Sequence, residues 1–110
     1  MNDDDDQSPA LVPGPSVPAD AISKELLITN KRGLHARASA KFVQTVERFS
    51  AEVWVTRGGE RVGGTSIMGL MMLSAGPGTT MLVSAVGPEA EAALAAITAL
   101  CASKFNEEAT

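Results

Sequence analysis

The chain has 110 residues, 45% of them hydrophobic and 20% charged, with a single Cys and a single His. This length excludes a multidomain enzyme, and lone Cys101 and His35 exclude a disulfide framework or a structural zinc site, which needs four N or S ligands. No apolar run approaches the roughly 20 residues of a membrane span, and residues 3–6 are all Asp where a signal peptide would be basic, so the expected compartment is the cytoplasm.

Residues 1–20 hold five Asp, no Lys or Arg, and Pro9, Pro13, Pro15 and Pro18, the composition of a disordered acidic tail. Residues 21–110 form the expected domain, in which nine Lys and Arg face eight Glu. The net charge of -4 therefore divides into -5 in the tail and +1 in the body. Residues 22–30 read as a strand that stops at a tight loop containing Gly33. A helix starts at His35 or Ala36, and the 3.6-residue spacing of Phe42, Val43, Val46 and Phe49 lays one face on a sheet. Residues 51–57, which include Trp54, form a strand that Gly58-Gly59 turns into a short one at 60–63. Thr65 or Ser66 caps a short helix over 66–74, with Gly76 and Pro77 as its stop. Residues 79–86 read as a further strand. Pro88 suits the first position of a last helix, with Glu89 and Glu91 near its positive end and Ala90, Ala93, Leu94, Ile97, Leu100, Cys101 and Phe105 on its apolar face. The order βαββαβα predicts an α+β fold, a mostly antiparallel sheet with helices on one face.

Lys31, Arg32, Arg37 and Lys41 fall within eleven residues, with no acid between Glu25 and Glu47, and this stretch holds the only His. Without interleaved aromatics it is a poor footprint for nucleic acid and suits a single anionic group. In Gly33-Leu34-His35-Ala36-Arg37 the loop becomes a helix, and the first N–H groups, those of Ala36 and Arg37, lack intrahelical acceptors and attract a phosphate. A His ordinarily titrates near about 6.5, and the helix dipole and nearby cations disfavour its imidazolium, so a neutral, nucleophilic ring is expected. The same field would stabilise a dianion once a phosphoryl group has been accepted. The plainer reading makes His35 a surface helix cap among solvated charges.

The second notable segment is Ser66-Ile67-Met68-Gly69-Leu70-Met71-Met72-Leu73. Leu70 and Leu73 can face inward, but Ile67, Met68, Met71 and Met72 cannot all do so, which points to an adaptable apolar docking face. The alternative is that the sheet and the last helix cover both sides.

These two motifs, about thirty residues apart, closely resemble the HPr phosphocarrier family of the bacterial phosphoenolpyruvate-dependent phosphotransferase system, over residues 22–106. The resemblance implies an open-faced β-sandwich, a four-stranded antiparallel sheet covered on one face by three helices. It implies that His35 accepts phosphate on a ring nitrogen from Enzyme I and passes it to an enzyme IIA domain, that Arg37 pairs with the phosphoryl group, and that Ser66 is a target of an HPr kinase/phosphorylase. The expected molecule is a monomeric carrier, a substrate of its partners rather than an enzyme, with no cofactor or metal, no nucleic-acid partner and no membrane insertion. Ala38 stands where the family usually has Pro, resembling a variant associated with alphaproteobacterial members, some of which serve regulatory systems rather than sugar import. Thr65 stands where the family often has Lys. Two other readings are a small acylphosphatase-like hydrolase, which would need an Asn to orient water where Asn30 lies before the loop, and a non-catalytic interaction module that docks through the Met patch.

Overall fold

The computed structural model describes residues 17–107. Of the expected tail, residues 1–16 lie outside the described residues, and Pro18 and Ala21 close a turn through Ala21 N–H to the Pro18 carbonyl at 3.1 Å. The elements are β1 (Ile22–Leu27), α1 (Ala36–Val46), β2 (Glu52–Arg57), β3 (Glu60–Gly63), α2 (Ile67–Met72), β4 (Thr80–Val86) and α3 (Ala90–Ala102), followed by a 3-10 turn at Lys104–Asn106. All strands pair antiparallel in the order β1-β4-β2-β3, with Leu26 opposite Met81 and Val55 opposite Val83. Alternation along the strands sends Leu26, Val53, Val55, Met81, Val83 and Ala85 into one core with Phe42, Leu70, Ile97 and Phe105. Trp54 lies between the core residues Val53 and Val55, so it stands on the opposite face, with Ser84 and Gly63 as its cross-strand partners. The fold is the open-faced sandwich that the resemblance implies, with the antiparallel sheet expected from the element order.

Several boundaries move for physical reasons. β1 ends at Leu27 rather than at Asn30, although Ile28 still exchanges backbone bonds with Gly78 and Thr79 at 2.8 Å each. Phe49 lies beyond the end of α1 and packs on the core from a loop. α2 is shorter than the expected 66–74: Ser74 (φ 56) makes the left-handed reversal in place of Gly76, and Arg57 Nη1 donates to the Leu73 carbonyl at 3.0 Å. Pro88 is not the first residue of α3, because Gly87 (φ 127) turns the chain and Glu89 caps the helix. The Glu89 carboxylate and amide both bond to Ser50, at 2.7 and 3.1 Å, which ties this entry to the end of α1.

Phe105 does not continue α3, as its spacing suggested. It sits in the 3-10 turn, where Lys104, Phe105 and Asn106 all have φ near 57 to 58, and it is fully buried. Phe105→Ala should therefore cost about 3–5 kcal/mol, the range for deleting a buried Phe. Urea unfolding followed by far-UV circular dichroism checks this, and a loss under about 1 kcal/mol, the size of a surface change, would mean that the turn adds little to the core.

Candidate functional site

Gly33 has φ 65, and a Cβ there would lie 2.3 Å from the Ala75 carbonyl oxygen, so the loop needs glycine on two counts. Leu34 N–H then donates to that same carbonyl at 3.0 Å, joining the loop to the segment that follows α2. The Asn30 amide donates to the Gly33 carbonyl at 2.8 Å from a fully buried position. With the loop held in this way, His35 emerges extended (φ -74, ψ -178) as the N-cap of α1. Ser39 braces the first turn, its hydroxyl donating to the Leu34 carbonyl at 3.2 Å.

The His35 ring fills the capping role considered for it. Its Nδ1 accepts from the Arg37 backbone N–H at 3.2 Å, so His35 caps the helix. A backbone N–H can only donate, which leaves the lone pair on Nδ1 and, in the neutral ring, the proton on Nε2. Nε2 meets Glu107 Oε2. The other carboxylate oxygen of Glu107 accepts from Asn30 Nδ2 at 3.2 Å. Burial pushes the Glu107 carboxyl up, but hydrogen bonds from Asn30 and His35 and the positive charge of His35 and Lys41 outweigh it, so it is held below its ordinary 4.5.

The expected residues divide into two neighbouring groups. His35, Ala36 and Arg37 meet at the start of α1, with Ala36 and Arg37 exposed, as are Lys31 and Arg32. Lys41 belongs elsewhere: its Nζ donates to the Phe105 carbonyl at 2.6 Å and anchors the C-terminal turn. Ser66 caps α2, its hydroxyl accepting from Gly69 N–H at 3.0 Å. Of that helix Leu70 and Leu73 are buried, while Met68 and Met72 are each 69% exposed and Ile67 and Met71 40% and 39%, so the apolar surface is real. Gly69 lets α2 approach β3, since a Cβ there would meet Val62 Cβ at 2.9 Å.

Asn30 and Glu107 were not anticipated as site residues. Asn30 reads locally as a turn residue, and Glu107 lies 72 positions from His35 with no spacing signal to connect them. Cys101 takes no part, for burial pushes its thiol up to about 11 and keeps it protonated. Among the described residues there is no group of three or more His, Cys, Asp or Glu able to hold a metal ion. Nor is any described helix long and apolar enough to cross a membrane.

The family model described as the PTS HPr component phosphorylation site matches residues 22–103. The chain belongs to the HPr phosphocarrier family. It is 48% identical to the phosphocarrier protein HPr of Neisseria meningitidis serogroup A over 86 residues, 78% of this chain and 97% of that protein. It is 40% identical to the phosphocarrier protein NPr of Shewanella violacea, across 78% of this chain and 94% of that one. Among solved structures, HPr-C-His from Thermoanaerobacter tengcongensis superposes with a TM-score of 0.75 at 42% identity, covering 79% of this chain and 98% of that one. Phosphoryl carriage in the phosphotransferase system, between Enzyme I and enzyme IIA, is the general role of HPr proteins, and this chain is one of them. Glu107 lies beyond the stretch that the family model matches.

Because the folded state holds Glu107 ionised, its contribution to stability is fully present above the ordinary value of 4.5 and is lost as the pH falls through the lower folded value. Between about pH 6 and about pH 3, wild-type protein should therefore lose melting temperature faster than Glu107→Gln, which has no carboxyl to protonate. Parallel slopes in calorimetry across that window would show that Glu107 is not held by these contacts.

Proposed function

We propose that His35 accepts a phosphoryl group on Nδ1 from phosphorylated Enzyme I and passes it to an enzyme IIA domain. The observation that carries this reading is the placement of an unprotonated Nδ1 against the Arg37 N–H in the first turn of α1. As the Nδ1 lone pair forms the N–P bond, the bond from phosphorus to the donor breaks and its electron pair leaves with the donor. The Arg37 N–H, until then bonded to Nδ1, becomes available to a phosphoryl oxygen, beside the Ala36 N–H and the Arg37 guanidinium.

The protein is a carrier, a substrate of its partners, and the phosphate it bears is covalent, with no separate cofactor. Ile67, Met68 and Met71 form the surface over which partners dock, and Ser66, exposed at its edge, is the site where an HPr kinase/phosphorylase would act. We place the carrier in the cytoplasm as a monomer. A hydrolase would need an amide to orient water, whereas Asn30 Nδ2 is engaged by Gly33 and Glu107 and its Oδ1 is buried away from solvent.

Incubation with phosphoenolpyruvate and Enzyme I should add one acid-labile, alkali-stable phosphate to the protein, and His35→Ala should take none. If His35→Ala still acquires the acid-labile label by intact mass, the assignment is wrong. Arg37→Ala should keep its melting temperature and transfer roughly 10- to 100-fold more slowly, less than the loss of a buried oxyanion donor because this guanidinium is exposed.

Ser66→Asp should keep its stability, since Asp caps a helix as well as Ser does. Docking would suffer instead, because partner binding would bury an uncompensated charge beside Ile67 and Met68. Phosphorylation of His35 should slow several-fold, while Ser66→Ala should lose about 1 kcal/mol of stability yet transfer normally. A wild-type rate for Ser66→Asp would place Ser66 outside the docking surface.

A further inference from the structure

We propose that Glu107 is a positioning residue for phosphoryl transfer: it accepts a hydrogen bond from Nε2–H of His35, holds the ring in the tautomer that leaves Nδ1 free to attack, and balances the charge the ring acquires. This rests on the reading of His35 as the phosphoryl acceptor. The ring is gripped from both sides, by the Arg37 N–H at Nδ1 and the Glu107 carboxylate at Nε2. The carboxylate is itself oriented, because Asn30 Nδ2 donates to its second oxygen and is fixed in turn by the Gly33 carbonyl.

The segment that delivers Glu107 is built for the purpose. Three successive non-glycine residues, Lys104, Phe105 and Asn106, adopt left-handed backbone angles, and such conformations persist where the surroundings over-determine them. Phe105 is fully buried and its carbonyl takes the Lys41 ammonium, so the turn is pinned from inside and from α1. The Lys41 ammonium, from within α1, also acts on the Glu107 carboxylate, and Arg37 stands at the start of the same helix.

In the transfer step the Nδ1 lone pair forms the bond to phosphorus and the donor leaves with the electron pair of its own bond. The Nε2 proton stays where it is. The ring therefore becomes an N-phosphoryl imidazolium whose positive charge spreads over both nitrogens, one beside the incoming dianion and the other beside Glu107. When the acceptor attacks phosphorus, the N–P electron pair returns to Nδ1 and the neutral Nε2–H tautomer is restored, ready for another cycle.

The test uses the full chain as wild type, Glu107→Gln and Glu107→Asp. Nitrogen-15 NMR of the ring at about pH 8, where an ordinary His is neutral, reads the tautomer without any partner. Phosphoenolpyruvate with Enzyme I then gives kcat and KM for the carrier. Wild type should show the Nε2–H tautomer alone. Glu107→Gln should populate the Nδ1–H form and lose on the order of 10-fold in kcat at unchanged KM, as losses of orienting partners do, and Glu107→Asp should recover most of the rate. A Glu107→Gln protein with the wild-type tautomer and rate would overturn the proposal. So would a slower rate that appears in KM with the tautomer unchanged, which would move Glu107 to partner docking. Failure of wild type to take any label would instead sink the phosphocarrier reading, while the tautomer measurement would still decide whether Glu107 orients the ring.

Discussion

The site depends on the close approach of the loop at Gly33 to the Ala75 carbonyl. That approach leaves no room for a Cβ, and it fixes the direction in which Leu34 and His35 leave the loop. A helix begun in this way spends one of its first N–H groups, that of Arg37, on a side chain, and that side chain is the proposed phosphoryl acceptor. Nδ1 therefore sits in the field that a phosphate would seek, because capping and anion binding draw on the same unpaired donors. The same carbonyl belongs to the segment leaving α2, so the phosphoryl site and the apolar helix are joined through one hydrogen bond.

The C-terminal turn shows how a costly backbone can be sustained. Three left-handed residues cost about 1–2 kcal/mol each, or about 3–6 in total. Burying Phe105 returns about 1.5–3 kcal/mol, and the charge-assisted bond from Lys41 adds about 1.5–3. These sums nearly balance, so the turn is held without a large surplus. What it accomplishes is geometric, since it brings a carboxylate from beyond α3 onto the ring of a residue at the start of α1.

The local pattern of the chain was enough to place the elements, the His35 cap, the Ser66 cap and the exposed methionines. Each is written in short-range chemistry: a Gly before a His, a hydroxyl before an apolar run, more apolar residues than one helix face can bury. The ends of elements were less predictable where distant partners decide them. Pro88 reads as a helix start until Ser50 claims both the amide and the carboxylate of Glu89. Lys41 reads as part of a solvent-facing cation cluster until the Phe105 carbonyl takes its ammonium. Asn30 and Glu107 could not be joined to His35 from spacing, because their meeting is a product of the tertiary fold and of a left-handed turn that no glycine announces.

On the proposed reading, chemistry belongs to the His35 loop and docking to α2. At 1.5 Å per residue its six residues span about 9 Å, with Ser66 at one end and the segment leading to Ala75 and the His35 loop beyond the other. The far end of α2 thus lies about one Debye length, about 8 Å near physiological salt, from a charge at Ser66. On the proposed reading, the exposed Ile67, Met68 and Met71 are the surface that a partner dries when it docks. A dianion at the edge of that surface would have to lose its water when the partner docks, with no counter-charge supplied by the methionines. On that reading, control at Ser66 acts on the approach of the partner rather than on the ring.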